Sequence, residues 1–260
     1  AIAVFAIVDV VTKNMVVATF ALLLTNAVIW CCYDIRLVQR YTKERPSFQR
    51  AEIAAVLKDC FPLFFSTFLN NYIVNAPKYA IDKLLTYDMQ TYFNIIYLPT
   101  FTINLMSIFV LKPMLKGLGE VWNGKQYRKF LGIVAKMGAA IVVMTILVEA
   151  VCYVMGIPIL SFIYNVDLAP YKGDLLILVL SGGFFALSVA LFYTLTTMRA
   201  QKLVSLAYIA AAIAGVFLPD LLVAKAGIRG AAISSVCISA VLAVVLFGIF
   251  VLEWRRKKEM

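Results

Sequence analysis

A row of polar side chains runs along an otherwise apolar segment, and one of its members is a lysine. Within residues 61–85, FPLFFSTFLNNYIVNAPKYAIDKLL, the row consists of Thr67, Asn71, Asn75, Lys78 and Asp82. Their spacings of four, four, three and four residues place them on one face of a helix. Because a lysine at the centre of a bilayer costs roughly 3 kcal/mol, we expect this first polar stripe to face a protein interior or a wet cavity.

A second polar stripe follows in the next apolar segment. Its members repeat at helical spacings and are Asn94, Tyr97, Thr100, Asn104 and Ser107. Asn and Thr side chains inside a membrane commonly bond to a neighbouring helix, which contributes about 0.6–2 kcal/mol. The second polar stripe therefore predicts either hydrogen bonds between helices or the lining of a cavity.

Lys78 admits two interpretations. A helix that begins near Cys60 places Lys78 roughly 27 Å along its axis, toward one membrane face. There the side chain could extend to the interface as an anchoring lysine, with Asp82 one turn away as a local partner. Alternatively, it is a cation that faces the cavity and meets an anionic substrate.

Two acidic residues also lie within apolar segments. Glu149 is flanked by apolar residues on both sides in TILVEAVCY, and an intramembrane carboxylate is a candidate for ion coupling, although an interfacial position is an equal alternative. Asp220 follows Pro219 and is close in sequence to Lys225 and Arg229, which predicts a local charge pair.

The composition excludes a soluble protein. The chain is 63% hydrophobic with a mean hydropathy of +0.91, against roughly 45–50% apolar residues in soluble domains. Continuous apolar runs favour helices over a barrel. The chain has no histidine, which removes imidazole ligands and imidazole catalysis. We read the five cysteines as packing residues and predict no metal, no cofactor, no catalytic site and no enzymatic activity.

These observations predict an all-α polytopic membrane protein with a half-span and seven full transmembrane helices. The half-span covers residues 2–11, and the full spans cover 15–33, 61–74, 89–111, 130–155, 175–198, 203–224 and 230–252. We expect residues 1–51 to end one lobe, 52–253 to form a six-helix lobe, and 254–260 to be a basic tail. The apolar start without an initiator Met predicts a fragment that lacks an N-terminal part.

The distribution of basic residues predicts an orientation. With these spans, 18 Lys and Arg residues fall on one side and 6 on the other. The positive-inside rule makes the richer side cytoplasmic, which predicts a multi-pass protein of the cell membrane with a cytoplasmic C-terminus. The same rule accounts for the net charge of +10, so we expect the bilayer as partner and no nucleic acid.

Three stretches together resemble a family of transporters. They are the first-stripe segment quoted above, FNIIYLPTFTINLMSIFVLKPML, and AGIRGAAISSVCISAVLAVVLF. They are similar to the second lobe of polysaccharide (O-antigen type) flippases, of the multidrug/oligosaccharidyl-lipid/polysaccharide exporter superfamily, with residues 15–35 matching the last helix of the first lobe. The resemblance implies two six-helix lobes around a central cavity that work by alternating access, so the first lobe would be missing here.

The resemblance also implies a substrate and its binding residues. The substrate would be a polyprenyl-diphosphate-linked oligosaccharide, with Lys78 meeting the diphosphate and Asn71 and Asn75 donating beside it. Asn94 and Asn104 of the second polar stripe complete the predicted substrate-binding set. The alternative is a drug or organic-cation antiporter of the same superfamily, in which Glu149 or Asp220 would hold the cation. A membrane-embedded transferase is a third possibility, disfavoured by the absence of histidine and of long loops.

Overall fold

A computed structural model describes residues 2–34, 36–37 and 49–258. Within these ranges all of the regular structure is helical, and no strand is present. Five helices are long and apolar enough to cross a membrane. The prediction of an all-α multi-pass membrane protein is therefore confirmed.

The chain divides into two compact units, one up to Leu57 and one from Lys58 onward. The first unit contains α1 (Ile2–Thr12) and α2 (Met15–Ile29), and α2 continues into a π-helical turn at Trp30–Asp34. The Asn14 side chain begins α2 by accepting hydrogen bonds from the backbone N–H groups of Val16 and Val17, the usual role of an N-cap asparagine.

The second unit is a bundle of long helices. In chain order the remaining helices are α3 (Arg50–Leu84), which begins before the unit boundary, α4 (Tyr87–Asn123), α5 (Tyr127–Val151), α6 (Ile157–Tyr164), α7 (Lys172–Thr197) and α8 (Gln201–Lys258). A π-helical turn at Cys152–Gly156 joins α5 to α6, so the two form one apolar stretch. The most apolar window of α7 is half buried, the largest share among the five candidate spans. This burial makes α7 the central helix of the unit.

The last two predicted spans, 203–224 and 230–252, are two helical arms of α8 that meet at a sharp bend. The bend lies at Gly227, whose φ of 58° and ψ of −133° interrupt α8. A residue with a side chain rarely adopts such a conformation, whereas glycine does so readily. Three residues later, a Cβ on Gly230 would overlap the backbone of Leu222. The glycines of GIRG therefore allow the chain to turn sharply between the two arms of α8.

The seven predicted full spans correspond to these helices. Six of the predicted spans lie in the five apolar helices, because α8 contains two of them. The helix α3 accounts for the seventh span. The helix α3 is not among the five apolar helices because the first polar stripe lowers its hydropathy.

Glycines also set the spacing around α7. A Cβ on Gly182 would lie 3.0 Å from Cγ2 of Thr100 in α4, and one on Gly183 would lie 2.5 Å from Cγ2 of Thr145 in α5. Real Cβ atoms do not come as close as 2.5 Å, and 3.0 Å is tighter than nine in ten of their contacts. Glycine therefore allows α7 to pack against both neighbours at these distances.

The bend in α8 generates a stability prediction. We expect Gly227→Ala and Gly230→Ala each to destabilise the protein by about 1–3 kcal/mol, because the first strains the backbone and the second displaces it. The measurement is thermal unfolding of the purified chain in detergent. Gly248→Ala is the matched control, since a Cβ there meets no atom within 4 Å and a helical Gly→Ala change is favourable by up to about 1 kcal/mol. Equal melting temperatures for all three variants would contradict the assigned role of the bend.

Candidate functional site

The first polar stripe lies along the edge of the buried face of α3. Ile73, Ala80 and Ile81 are buried, whereas Asn75 and Lys78 are half-buried and the other stripe members are exposed. Two stripe members are joined, because Asn75 Nδ2 donates to the backbone oxygen of Asn71 at 2.9 Å and to its Oδ1 at 3.2 Å. Asn75 is the donor in both bonds, so the Nδ2 hydrogens of Asn71 are not used within the pair.

The ammonium of Lys78 rests on an aromatic ring of the neighbouring helix. Its Nζ lies 4.5 Å from the ring centroid of Tyr97, and Tyr97 stacks on Phe93 with centroids 5.9 Å apart. Such a contact stabilises a cation by about 0.5–2 kcal/mol. Within the described ranges, no carboxylate lies within ion-pair distance of Lys78. The ring holds the ammonium in position without neutralising its charge.

The predicted local charge pairs are replaced by a pair between two helices. Lys83 Nζ at the end of α3 lies 2.7 Å from Asp220 Oδ2 in the first arm of α8. Asp220 therefore pairs with Lys83 and not with the cations that follow it in sequence, and Asp82 is not the partner of Lys78. Because both side chains of the observed pair are largely exposed, the pair contributes at most about 1 kcal/mol.

The second polar stripe divides between the two predicted roles. Thr100 is buried and its hydroxyl donates to the carbonyl oxygen of Leu178 in α7 at 2.9 Å, which is the predicted hydrogen bond between helices. Asn104 is half-buried, and its Oδ1 is shut off from solvent with no partner among the described residues. Asn94 is exposed. The structure therefore brings Lys78 and Tyr97 together, but it shows no contact that unites Asn94 or Asn104 with them.

A small cavity lies behind Tyr97, between α3, α4, α7 and the second arm of α8. Its volume is about 30 Å³, and its polar lining consists of Tyr97, Thr100, Ser181, Ser235 and Ser239. The serine and threonine hydroxyls donate to backbone carbonyls of their own or the adjacent helix, so their oxygens remain as acceptors. This volume suits about one water molecule and is too small for a sugar or a phosphate. A substrate must therefore meet Lys78 from the open side of α3.

Glu149 lies in a different place from the polar stripes. It lines an open groove of about 540 Å³ between α5 and α7, and none of the stripe residues of α3 or α4 lines that groove. One of its carboxylate oxygens, Oε2, is shut off from solvent and has no hydrogen-bond partner in the described part of the chain. The candidate residues thus form two separate sites. Across the described ranges, no three acidic, histidine or cysteine side chains are close enough to bind a metal ion together.

Comparison of the chain with protein-family models, with curated proteins and with solved structures finds no match. The fold class and the position of each side chain come from the structure itself. The resemblance to polysaccharide flippases stays a prediction.

The setting of Lys78 predicts that this residue contributes little to stability. The ammonium of Lys78 is half-buried without an ion pair, so its removal breaks no charge pair. In Lys78→Met the sulfur keeps a favourable contact with Tyr97. We therefore expect this change to alter the free energy of unfolding by less than about 1 kcal/mol. Lys83→Met is the matched comparison and should cost about 0.2–1 kcal/mol through loss of the pair with Asp220. Thermal unfolding in detergent measures both. A loss above about 2 kcal/mol for Lys78→Met would make Lys78 a structural residue.

Proposed function

We propose that this chain is part of a flippase that moves a polyprenyl-diphosphate-linked oligosaccharide from the inner to the outer leaflet of a cell membrane, for surface polysaccharide assembly. The observation that carries the proposal is the half-buried ammonium of Lys78, which rests on Tyr97 without a carboxylate partner in the described ranges. An unneutralised cation within a membrane protein costs free energy. An anionic group on the substrate would explain why Lys78 is present there.

The chemistry around Lys78 suits a diphosphate joined to a sugar. A lysine is a compact point charge that binds phosphate oxygens without requiring one fixed geometry. Asn71 and Asn75 lie on the same face of α3, two turns and one turn before Lys78 respectively, and amide groups both donate to and accept from sugar hydroxyls. The bilayer itself would solvate the polyprenyl chain. In this arrangement the first polar stripe binds the diphosphate and sugar, and the membrane surrounds the lipid tail.

The cation–π contact suits a substrate that must be released after it is bound. A diphosphate that approaches Lys78 competes with a ring contact of about 0.5–2 kcal/mol, which is weaker than a buried ion pair. The ammonium can therefore turn from Tyr97 to the substrate and return to the ring when the substrate leaves. In the proposed arrangement the first lobe supplies the opposite wall of the path, and the C-terminus lies in the cytoplasm.

A drug or organic-cation antiporter is the alternative, and it requires an acidic residue on the transport path. Glu149 lines the groove between α5 and α7, apart from Lys78 and Tyr97, and Asp220 is occupied by Lys83. These positions favour the flippase, because the uncompensated charge beside the polar stripes is positive.

Direct binding tests the proposed anion site on the chain as it exists. We expect purified protein to bind farnesyl diphosphate and not farnesol in isothermal titration calorimetry. Lys78→Ala should weaken the binding about tenfold, since a hydrogen bond to a charged group contributes about 1.5–3 kcal/mol, whereas Lys78→Arg should retain it. Lys136→Ala is the matched control, because Lys136 is an exposed lysine of α5. Equal binding by the wild type and Lys78→Ala would remove Lys78 from the site.

Complementation tests the function itself. The chain would be joined to the first lobe of a related flippase and expressed in a flippase-deficient strain. We expect surface polysaccharide to be restored by the wild type, Lys78→Arg and Lys136→Ala, but not by Lys78→Ala at equal membrane level. Restoration by Lys78→Ala would contradict the proposed role of the cation.

A further inference from the structure

Aromatic rings from three helices meet at one end of the second unit. They belong to Trp122 at the end of α4, Tyr127 and Phe130 at the start of α5, and Trp254 near the end of α8. The ring centroid of Phe130 lies 4.7 Å from that of Trp122 and 6.0 Å from that of Trp254. The ring of Tyr127 meets that of Trp254 edge-on, with centroids 6.0 Å apart. This aromatic cluster brings the turn between α4 and α5 to the end of α8.

The aromatic cluster has the composition of a membrane interface. Two of the three tryptophans of the chain belong to it, and Trp122, Tyr127 and Trp254 are only partly buried. Such side chains are enriched at the level of lipid headgroups, because the ring is apolar and its N–H or O–H is polar. An apolar span leads away from the cluster in each of the three helices. The cluster therefore marks the level at which this end of the unit meets the headgroups of one leaflet.

Exposed basic side chains accompany the aromatic cluster. One lies in the turn before α5, two lie in the first turn of α5, and one follows Trp254 in α8; they are Lys125, Arg128, Lys129 and Arg255. We call these four residues the basic rim. Over residues 120–130 and 253–256, basic residues outnumber acidic ones by five to two. The basic rim therefore gives this end of the unit a positive surface.

The charges of the basic rim are not neutralised within the described part of the chain. No ion pair or ring contact involves them there. By contrast, Lys78 and Lys172 each rest on a tyrosine, and Lys172 Nζ lies 4.2 Å from the ring centroid of Tyr153. The first turn of α5 contains no acidic residue, and the nearby Glu253 is buried and lies 3.6 Å from Arg256. The four charges of the rim are therefore available to an anion from outside the chain.

We propose that the aromatic cluster and the basic rim bind the headgroup of an acidic phospholipid. The lysine and arginine side chains donate to its phosphate, and the rings contact the adjoining glycerol and the first carbons of the acyl chains. Each basic residue at a membrane surface favours acidic lipid by about fivefold. Neither Lys78 nor the rest of the first polar stripe takes part, so this binding is independent of the proposed transport.

The rings favour a lipid over an acidic polypeptide or a nucleic acid. A ring at headgroup level has an apolar face that hydrocarbon can cover, whereas a polyanion in water would meet only the charges of the basic rim. Phosphatidylglycerol carries a net negative charge. Phosphatidylcholine has the same phosphate, but its quaternary ammonium cancels that charge. Comparison of the two lipids therefore separates the attraction of the rim from the apolar contact with the rings.

Quenching of tryptophan fluorescence by brominated lipid tests the proposal at the cluster itself. In Trp30→Phe the remaining tryptophans are Trp122 and Trp254, so the emission reports this end of the unit. The full chain is reconstituted in vesicles of equal phosphatidylglycerol and phosphatidylcholine with identical acyl chains, of which one lipid or the other is brominated. We expect the quenching to show a preference for phosphatidylglycerol of about tenfold. Salt at about 0.5 M should reduce this preference, because it screens exposed charges.

Two substitutions in the Trp30→Phe chain test the basic rim. Arg128→Gln combined with Arg255→Gln should lower the preference for phosphatidylglycerol to about twofold or less, because each removed charge contributes about fivefold. Lys225→Gln is the matched control, because Lys225 is an exposed lysine beside the bend of α8, and it should keep the full preference.

Three results would overturn the proposal. They are equal quenching by the two brominated lipids, a preference that salt does not change, and an unchanged preference in the double variant. Absence of quenching by either lipid would also overturn it, because a polypeptide would then cover the cluster. The salt comparison on Trp30→Phe decides the question even if the double variant does not fold.

Discussion

The close approach of α7 to its neighbours at Gly182 and Gly183 is the contact on which the arrangement of the second unit depends. Helices in a bilayer gain little from hydrophobic association, so their packing relies on van der Waals contact and on hydrogen bonds. Without a side chain at these positions, α7 packs against Thr100 of α4 and Thr145 of α5. The hydrogen bond from Thr100 to Leu178 then forms at the same crossing. The second polar stripe and the groove that Glu149 lines both border this central helix.

The charged side chains whose contacts are described above lie in three settings in the second unit: against a ring, in an ion pair, or on a groove. Lys78 rests on Tyr97, and Lys172 rests on Tyr153. Aromatic faces stabilise cations without cancelling them, so the rings neutralise neither lysine. Glu149 is the acidic counterpart on the groove between α5 and α7, and its Oε2 is enclosed by the protein without a hydrogen-bond partner among the described residues.

The sequence predicts helices well here because apolar length and polar spacing are local properties. The seven spans and the face shared by Asn75 and Lys78 follow from periodicity within single helices. Contacts between helices do not follow from it: Lys83 and Asp220 are 137 positions apart, and no spacing rule connects Lys78 with Tyr97 or Lys172 with Tyr153. The gap between the predicted spans 203–224 and 230–252 coincides with the bend, but span lengths alone do not show that one glycine makes the turn.

The sharp turn at Gly227 has a consequence for the charges beside it. The two apolar arms of α8 meet at one non-helical residue, so no separate loop lies between them. Lys225 and Arg229 lie on either side of that residue, so two positive charges stay at the same end of both arms. The two arms and these two charges therefore form one structural unit, and its geometry depends on the glycine that allows the turn.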